Sequence, residues 1–160
     1  SVQLELLTFP FQKKQVVNFG LHLKTVLNSQ SLFANYTASM LALPGLNVLP
    51  DLDTYFIAAY RSTQYACAGT QLIVSPLKNI DLRLDAYAFL PIIQLVLNPD
   101  GTFTYAKPLD GRSLLAAAHV IYHSPVGPVR ATINYLPKYA QPLQFQLGFG
   151  YLLFNERAIR

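Results

Sequence analysis

The sequence predicts an all-β protein whose antiparallel strands, about eight of them, form a transmembrane β-barrel or a part of one. Apolar and polar residues alternate with period two through most of the chain, whereas helical periodicity is hard to find. Turn-forming residues separate the alternating runs. The apolar side of the alternation is almost free of charge, which is typical of a strand face that meets lipid.

Length and composition narrow the class of protein further. The 160 residues suffice for a single domain, 1–160, and the charged fraction of 12% is about half of the roughly 25% found in soluble domains. Hydrophobic residues make up 52%, yet no apolar run reaches the roughly 18 residues of a transmembrane helix. The 12 Lys and Arg residues are scattered and form no stripe along which nucleic acid could bind. These features argue against a disordered chain, a helical membrane protein and a nucleic-acid-binding protein.

The period-two runs give the positions of the predicted strands in chain order. They lie near 2–10, 14–27, 32–43, 57–74, 80–90, 113–123, 128–136 and 142–154, followed by a tail at 155–160. Most of these runs are bounded by Gly, Pro, Asn, Asp or Ser, the residues that punctuate strands.

The connections between these strands differ in length at the two ends. The short ones span 28–31, 75–79 and 124–128. The long ones span 44–56 and 91–112, and the second contains the turn signal Asn98-Pro99-Asp100-Gly101. Such asymmetry is typical of outer-membrane barrels, which have tight periplasmic turns and larger extracellular loops. The connection at 11–13 is an exception, because it is short and falls at the end of the long loops.

The alternation also predicts which side chains face lipid. In the run 129–135, large apolar side chains share one face and Arg130, Thr132 and Asn134 share the other. An Arg or Lys on the lipid face would cost roughly 2–4 kcal/mol at the bilayer midplane, which explains why that face carries no charge. The residues predicted to face lipid are Val129, Ile133, Tyr135, Phe145, Leu147 and Phe149.

A few charged side chains fall on the opposite, inward face. Asp85, Arg61, Arg83 and Arg130 are the candidates for an ion pair in the lumen, where a hydrogen-bonded Asp–Arg pair could fix a loop or a neighbouring strand. The alternative is that these charges are solvated in a water-filled lumen.

Motifs that would indicate an enzyme or a metal site do not occur. No Ser lies in a Gly-x-Ser-x-Gly elbow, and the chain contains no Gly-rich phosphate loop and no Cys-x-x-Cys pair. His119 and His123 would lie roughly 13 Å apart on a strand, too far to share a metal. The sequence therefore predicts no catalytic residue, no cofactor and no metal.

Three segments resemble a known family. They are 79–87, 122–130 and 148–157, of which the second contains Ser124-Pro125-Val126-Gly127-Pro128. Together they resemble the bacterial surface antigen superfamily, and within it the C-terminal outer-membrane barrel of patatin-like phospholipases from Gram-negative bacteria. The resemblance implies the C-terminal half of a sixteen-stranded barrel in the bacterial outer membrane. It also implies a preceding hydrolase domain with a Ser–Asp dyad, which this chain lacks. The chain itself would then be an anchor without catalysis, with translocation of that domain as an additional role.

The resemblance carries two further implications for individual residues. Gln146, Gly148, Tyr151 and Leu153 resemble the terminal-strand signal that the outer-membrane insertion machinery reads. Asp85 stands where the family places an Asp that binds an Arg at the tip of a loop inside the lumen. No Arg-Gly-Phe or Arg-Gly-Tyr tip exists in this chain, and Arg61 is the nearest cation, which gives the hypothesis of an Asp85–Arg61 pair.

The way in which the barrel closes is left open by the sequence. Either the first strand pairs with the last, or both edges pair with remaining barrel strands or with a second copy of the chain, because an unpaired edge in lipid is costly. The first alternative describes a self-contained eight-stranded barrel that acts as an adhesin or a structural protein. A further alternative is a soluble lipid-binding barrel with its apolar face inside.

Overall fold

The computed structural model describes residues 2–13, 16–49, 52, 55–125 and 127–150. Antiparallel strands dominate, in agreement with the predicted all-β class. In chain order the strands are β1 (Val2–Lys13), β2 (Val17–Leu27), β3 (Gln64–Leu77), β4 (Ile80–Ile93), β5 (Leu95–Leu97), β6 (Phe103–Tyr105), β7 (Ser113–Ser124), β8 (Gly127–Tyr135) and β9 (Leu143–Phe149). One α-helix, α1 (Tyr36–Ala42), and a short 3₁₀ helix (Ala58–Tyr60) lie between β2 and β3.

Seven of the strands form one sheet in the order β1-β2-β3-β4-β7-β8-β9. Every neighbouring pair is antiparallel, so the chain runs up and down through the sheet. β1 and β9 are its two edges, and the described residues form no closed barrel. Strands β5 and β6 form a separate hairpin within the connection between β4 and β7.

The prediction of a strand at 32–43 is wrong, because this segment contains helix α1. Asn35 caps the helix: its side-chain oxygen accepts a hydrogen bond from the backbone N–H of Ala38 at 3.2 Å. The helix buries Ser39 and Met40, and Met40 packs with Leu95 of β5. A segment with alternating polarity can still form a helix when a capping residue and a buried face stabilise the helix, which is the case here. The strand predicted at 57–74 is likewise shorter than expected, since β3 begins only at Gln64.

Removing the false strand restores a regular arrangement of the connections. The chain between β1 and β2, between β3 and β4, and between β7 and β8 is short, and all three turns lie at one end of the sheet. The long connections 28–63, 94–112 and 136–142 all lie at the other end. The first connection seemed to lie at the end of the long loops only because a strand was predicted at 32–43. Without that strand, the first connection lies at the same end as the other short ones.

The two faces of the sheet differ in polarity, and it is the apolar face that is exposed. Large apolar side chains on β2, β4, β7, β8 and β9 are exposed on one face, which we call the outer face. Polar side chains on the opposite, inner face are buried, among them His22, Gln71, Asp85 and His119. An ordinary soluble sheet has the reverse distribution. The six residues predicted to meet lipid, Val129, Ile133, Tyr135, Phe145, Leu147 and Phe149, are all exposed on the outer face.

The connection 28–63 packs against the inner face at the long-loop end. Its apolar side chains Leu46, Val48, Leu49, Leu52, Ile57 and Tyr60 are buried. They form one core with Leu136, which follows β8, and with inward side chains of the sheet, namely Val26, Tyr65, Cys67, Tyr87, Phe89, Leu115 and Ala117. The Tyr65 hydroxyl donates to the Gly45 carbonyl at 3.0 Å, and Lys24 donates to the Asn47 side chain. The apolar core of this protein therefore lies between the sheet and its longest connection.

Truncating the buried connection should destabilise the fold. We expect Val48→Ala to lower the free energy of unfolding by about 1.5 kcal/mol, because two buried methyl groups are removed. Urea titration of the protein in detergent measures this change. The matched control is Leu41→Ala in the same connection, whose side chain is exposed and whose loss should change the free energy by less than about 0.5 kcal/mol. Equal effects of the two variants would contradict the packing described for this connection.

The predicted turn signal at 98–101 forms the tip of the β5–β6 hairpin. Gly101 adopts a φ of 83°, a conformation that residues with a side chain rarely adopt. The Asp100 carboxylate accepts hydrogen bonds from the Thr102 hydroxyl at 2.6 Å and from its backbone N–H at 3.0 Å. These bonds lower the pKa of Asp100 because they favour its charged form.

Within the described ranges, none of the helices has the length and hydropathy needed to cross a membrane.

Candidate functional site

The polar side chains of the inner face form the candidate site. They come from alternate positions of six strands, and the register of the sheet brings them together. Arg83 of β4 lies opposite His119 of β7, which in turn lies opposite Thr132 of β8. Asp85 lies two residues along β4 on the same face, so its side chain can reach both Arg83 and His119.

The Asp85 cluster, formed by Arg83, Asp85, His119 and Thr132, is the most buried ionic group. Arg83 Nε donates to both carboxylate oxygens of Asp85, at 2.9 and 2.8 Å. His119 Nε2 lies 3.1 Å from Asp85 Oδ2, and His119 Nδ1 lies 2.9 Å from Thr132 Oγ1. The Asp85 carboxylate is therefore held by two partners in a place without solvent. The cluster joins β4, β7 and β8 by side chains in addition to their backbone ladder.

The connectivity of carboxylate, imidazole and hydroxyl in this cluster matches that of a nucleophilic relay. A nucleophile must nevertheless reach its substrate, and Thr132 is only 1% exposed. The hydroxyl faces His119 inside the fold rather than a cleft. The Asp85 cluster therefore supports strand pairing, and its hydroxyl is not accessible to a substrate in this arrangement.

Two further groups on the inner face also pair a histidine with a carboxylate. His22 lies between Glu5, whose Oε1 is 2.8 Å from Nε2, and the Tyr87 hydroxyl, which is 3.2 Å from Nδ1. Gln71 Nε2 donates to the same Tyr87 hydroxyl at 2.6 Å. Near the short-turn end, Asp81 accepts from the Ser75 hydroxyl at 2.6 Å and lies 2.7 Å from His123 Nε2. Each of the three histidines of the chain is thus bound to a carboxylate of a neighbouring strand.

The four residues predicted as lumen charges have different positions. Asp85 and Arg83 form the pair described above, and Arg130 lies on the inner face of β8 opposite Gly148. Arg61 does not pair with Asp85: its Nη1 donates to the Leu43 carbonyl at 2.7 Å, and its guanidinium lies over the Phe56 ring. The reason is distance along the sheet. Asp85 pairs with Gln71, about 23 Å along β3 from the end at which Arg61 lies.

The predicted terminal-strand signal is only partly within the described chain. Gln146 and Gly148 lie on the inner face of the edge strand β9, on the opposite side from Phe145, Leu147 and Phe149. Tyr151 and Leu153 lie outside the described residues. The described residues contain no group of three or more His, Cys, Asp or Glu side chains that could hold a metal ion.

Several members of the inner-face clusters were not singled out from the sequence. Glu5, Gln71, Tyr87 and Thr132 each fall on an inward position of their strand. Their partners, however, come from other strands and depend on register. A period of two assigns a side chain to a face but not to a neighbour.

Comparisons of the chain with protein-family models, with curated proteins and with solved structures found no match. The family resemblance of the three sequence segments therefore stays a prediction.

Proposed function

We propose that this chain is part of an outer-membrane β-barrel that anchors a patatin-like phospholipase domain lying outside these 160 residues. The observation that carries the membrane part of the proposal is the outer face, on which large apolar side chains are exposed across the sheet. Contiguous apolar surface of this extent is rare on soluble monomers and indicates contact with lipid or protein.

The polar side chains of the inner face also support the membrane part of the proposal. Its polar groups are bound to one another in clusters, as expected for side chains that line the inside of a barrel. A soluble lipid-binding barrel would instead require the apolar face to be buried. Ile133, Phe145 and Leu147 are 52%, 65% and 70% exposed, which disfavours that alternative.

The number of strands bears on how the proposed barrel closes. Because seven strands run up and down, the edge strands β1 and β9 point in the same direction. If β1 paired directly with β9 of the same chain, the pair would therefore be parallel, unlike every other pair in the sheet. The same holds if β1 of one copy paired with β9 of a second copy that is related to it by an axis parallel to the barrel axis. Antiparallel closure needs an odd number of additional strands. Nine such strands would complete the sixteen-stranded barrel that the resemblance implies.

The role as an anchor is favoured over that of an open channel by the connection 28–63. Its described apolar residues pack on the inner face at the long-loop end and cover that part of the sheet. The lipase itself is proposed from the sequence resemblance alone. It requires a Gly-x-Ser-x-Gly elbow elsewhere in the protein, and replacing that Ser with Ala should abolish phospholipid hydrolysis while leaving the barrel assembled.

Protease accessibility on intact cells tests the membrane part. A cleavage site inserted between Asp100 and Gly101, at the exposed tip of the β5–β6 hairpin, should be cut by external protease. The matched insertion between Lys78 and Asn79, in the exposed turn at the opposite end, should be cut only after the outer membrane is permeabilised. Cleavage of both sites on intact cells, or recovery of the protein in the soluble fraction, would overturn the proposal.

A further inference from the structure

A hollow of about 430 Å³ opens at the long-loop end of the sheet, away from the inner-face clusters. Its walls come from the start of the connection 28–63, the beginning of β3, the end of β4 and the segment after β6. The volume lies within the range of small-molecule sites in proteins, roughly 300–1,000 Å³.

The lining of this hollow combines apolar surface with several polar side chains and carries no charged side chain. Ser29, Gln30, Ser31 and Gln64 contribute hydroxyl and amide groups to it. Within the described part of the chain, these four side chains form no hydrogen bond, so their donors and acceptors are free for a ligand. The absence of Lys and Arg disfavours a phosphate or a carboxylate as the ligand, and the absence of Asp and Glu disfavours a cation.

An aromatic ring and an apolar floor complete the hollow. The Tyr105 side chain is 65% exposed and stands at the rim, with its ring edge-on to that of Phe103 at a centroid distance of 6.1 Å. Leu32, Ile92 and Pro108 provide apolar surface nearby. An exposed ring next to free neutral hydrogen-bonding groups matches a pyranose, which has an apolar C–H face and a rim of hydroxyl groups.

We propose that this hollow binds a neutral oligosaccharide, whose sugar face stacks on Tyr105 and whose hydroxyls bind Ser29, Gln30, Ser31 and Gln64. The site does not use the inner-face clusters, and its geometry does not depend on the lipase or on the way in which the barrel closes. It adds a recognition surface at the end of the sheet where the long connections gather.

Saturation-transfer NMR on the full-length protein tests this site. The protein is kept in a detergent without a sugar headgroup, because a maltoside would compete. The probes are maltotriose and tri-N-acetylchitotriose, with trigalacturonate as the charged comparison. We expect at least one neutral trimer to bind and trigalacturonate not to bind.

Variants at the ring identify the site. Tyr105→Ala should weaken binding of the neutral trimer about tenfold, since the stacking surface is lost, whereas Tyr105→Phe should retain most of it. Gln64→Ala should weaken binding severalfold. Thr104→Ala is the matched control, because Thr104 is adjacent to Tyr105 in β6 but does not line the hollow. Absence of binding by both neutral trimers, equal binding of trigalacturonate, or unchanged binding by Tyr105→Ala would each overturn the proposal.

Discussion

Replacing Leu147 with Arg is expected to destabilise the assembled protein by about 2–4 kcal/mol. Leu147 lies in the middle of β9 and is 70% exposed on the outer face, paired with Ala131 of β8. If that face meets lipid, the guanidinium must leave water for hydrocarbon or distort the bilayer around it. If the face meets water instead, the same change should be almost neutral, since substitutions at exposed positions rarely exceed about 0.5 kcal/mol. Urea unfolding in lipid vesicles distinguishes the two outcomes.

Gln144→Arg is the matched control for this measurement. Gln144 is three residues away in the same edge strand and half-buried on the inner face, where its Nε2 donates to the Gln141 carbonyl. An Arg there can remain among polar groups, so the loss should be at most about 1 kcal/mol. Similar losses at both positions would show that the two faces of β9 have the same environment. The assignment of the outer face to lipid would then be wrong.

The faces of the strands could be predicted from the sequence because a strand places successive side chains on opposite sides. In 129–135 this rule alone puts Ile133 with Val129 and Tyr135, and Thr132 with Arg130, as found. The rule says nothing about whether a segment is a strand at all. At 32–43 the alternation was present, yet the cap by Asn35 and the burial of Met40 produce a helix.

The neighbours of each side chain could not be predicted in the same way. The resemblance predicts Arg61 as the partner of Asp85, because the family pairs this Asp with an Arg from a loop and Arg61 is the nearest cation. The structure gives Asp85 the partners Arg83 and His119 instead. Arg83 is two residues away on the same strand, a spacing that already places both side chains on one face. His119 is reached only through the β4–β7 register, which depends on the length of the intervening connection.

Removal of the Asp85 carboxylate is expected to have the largest effect of any single change on the inner face. Asp85→Ala should lower the free energy of unfolding by about 3–5 kcal/mol, because Arg83 and the buried His119 both lose their acceptor. Asp85→Asn should cost less, since its side-chain oxygen can still accept one of these hydrogen bonds. Urea unfolding in detergent measures both variants.

Asp81→Ala is the matched control, because Asp81 lies on the same face of the same strand and also binds a histidine, but in a more exposed place. Exposed pairs contribute at most about 1 kcal/mol, so its loss should be small. Double-mutant cycles then identify the partners of Asp85. The cycle with His119→Ala should show a coupling of about 0.5–3 kcal/mol, whereas the cycle with Arg61→Ala should be additive within about 0.5 kcal/mol. Coupling to Arg61 instead of His119 would mean that the loop reaches into the lumen as the resemblance implies, and that the Asp85 cluster as described does not exist in the folded protein.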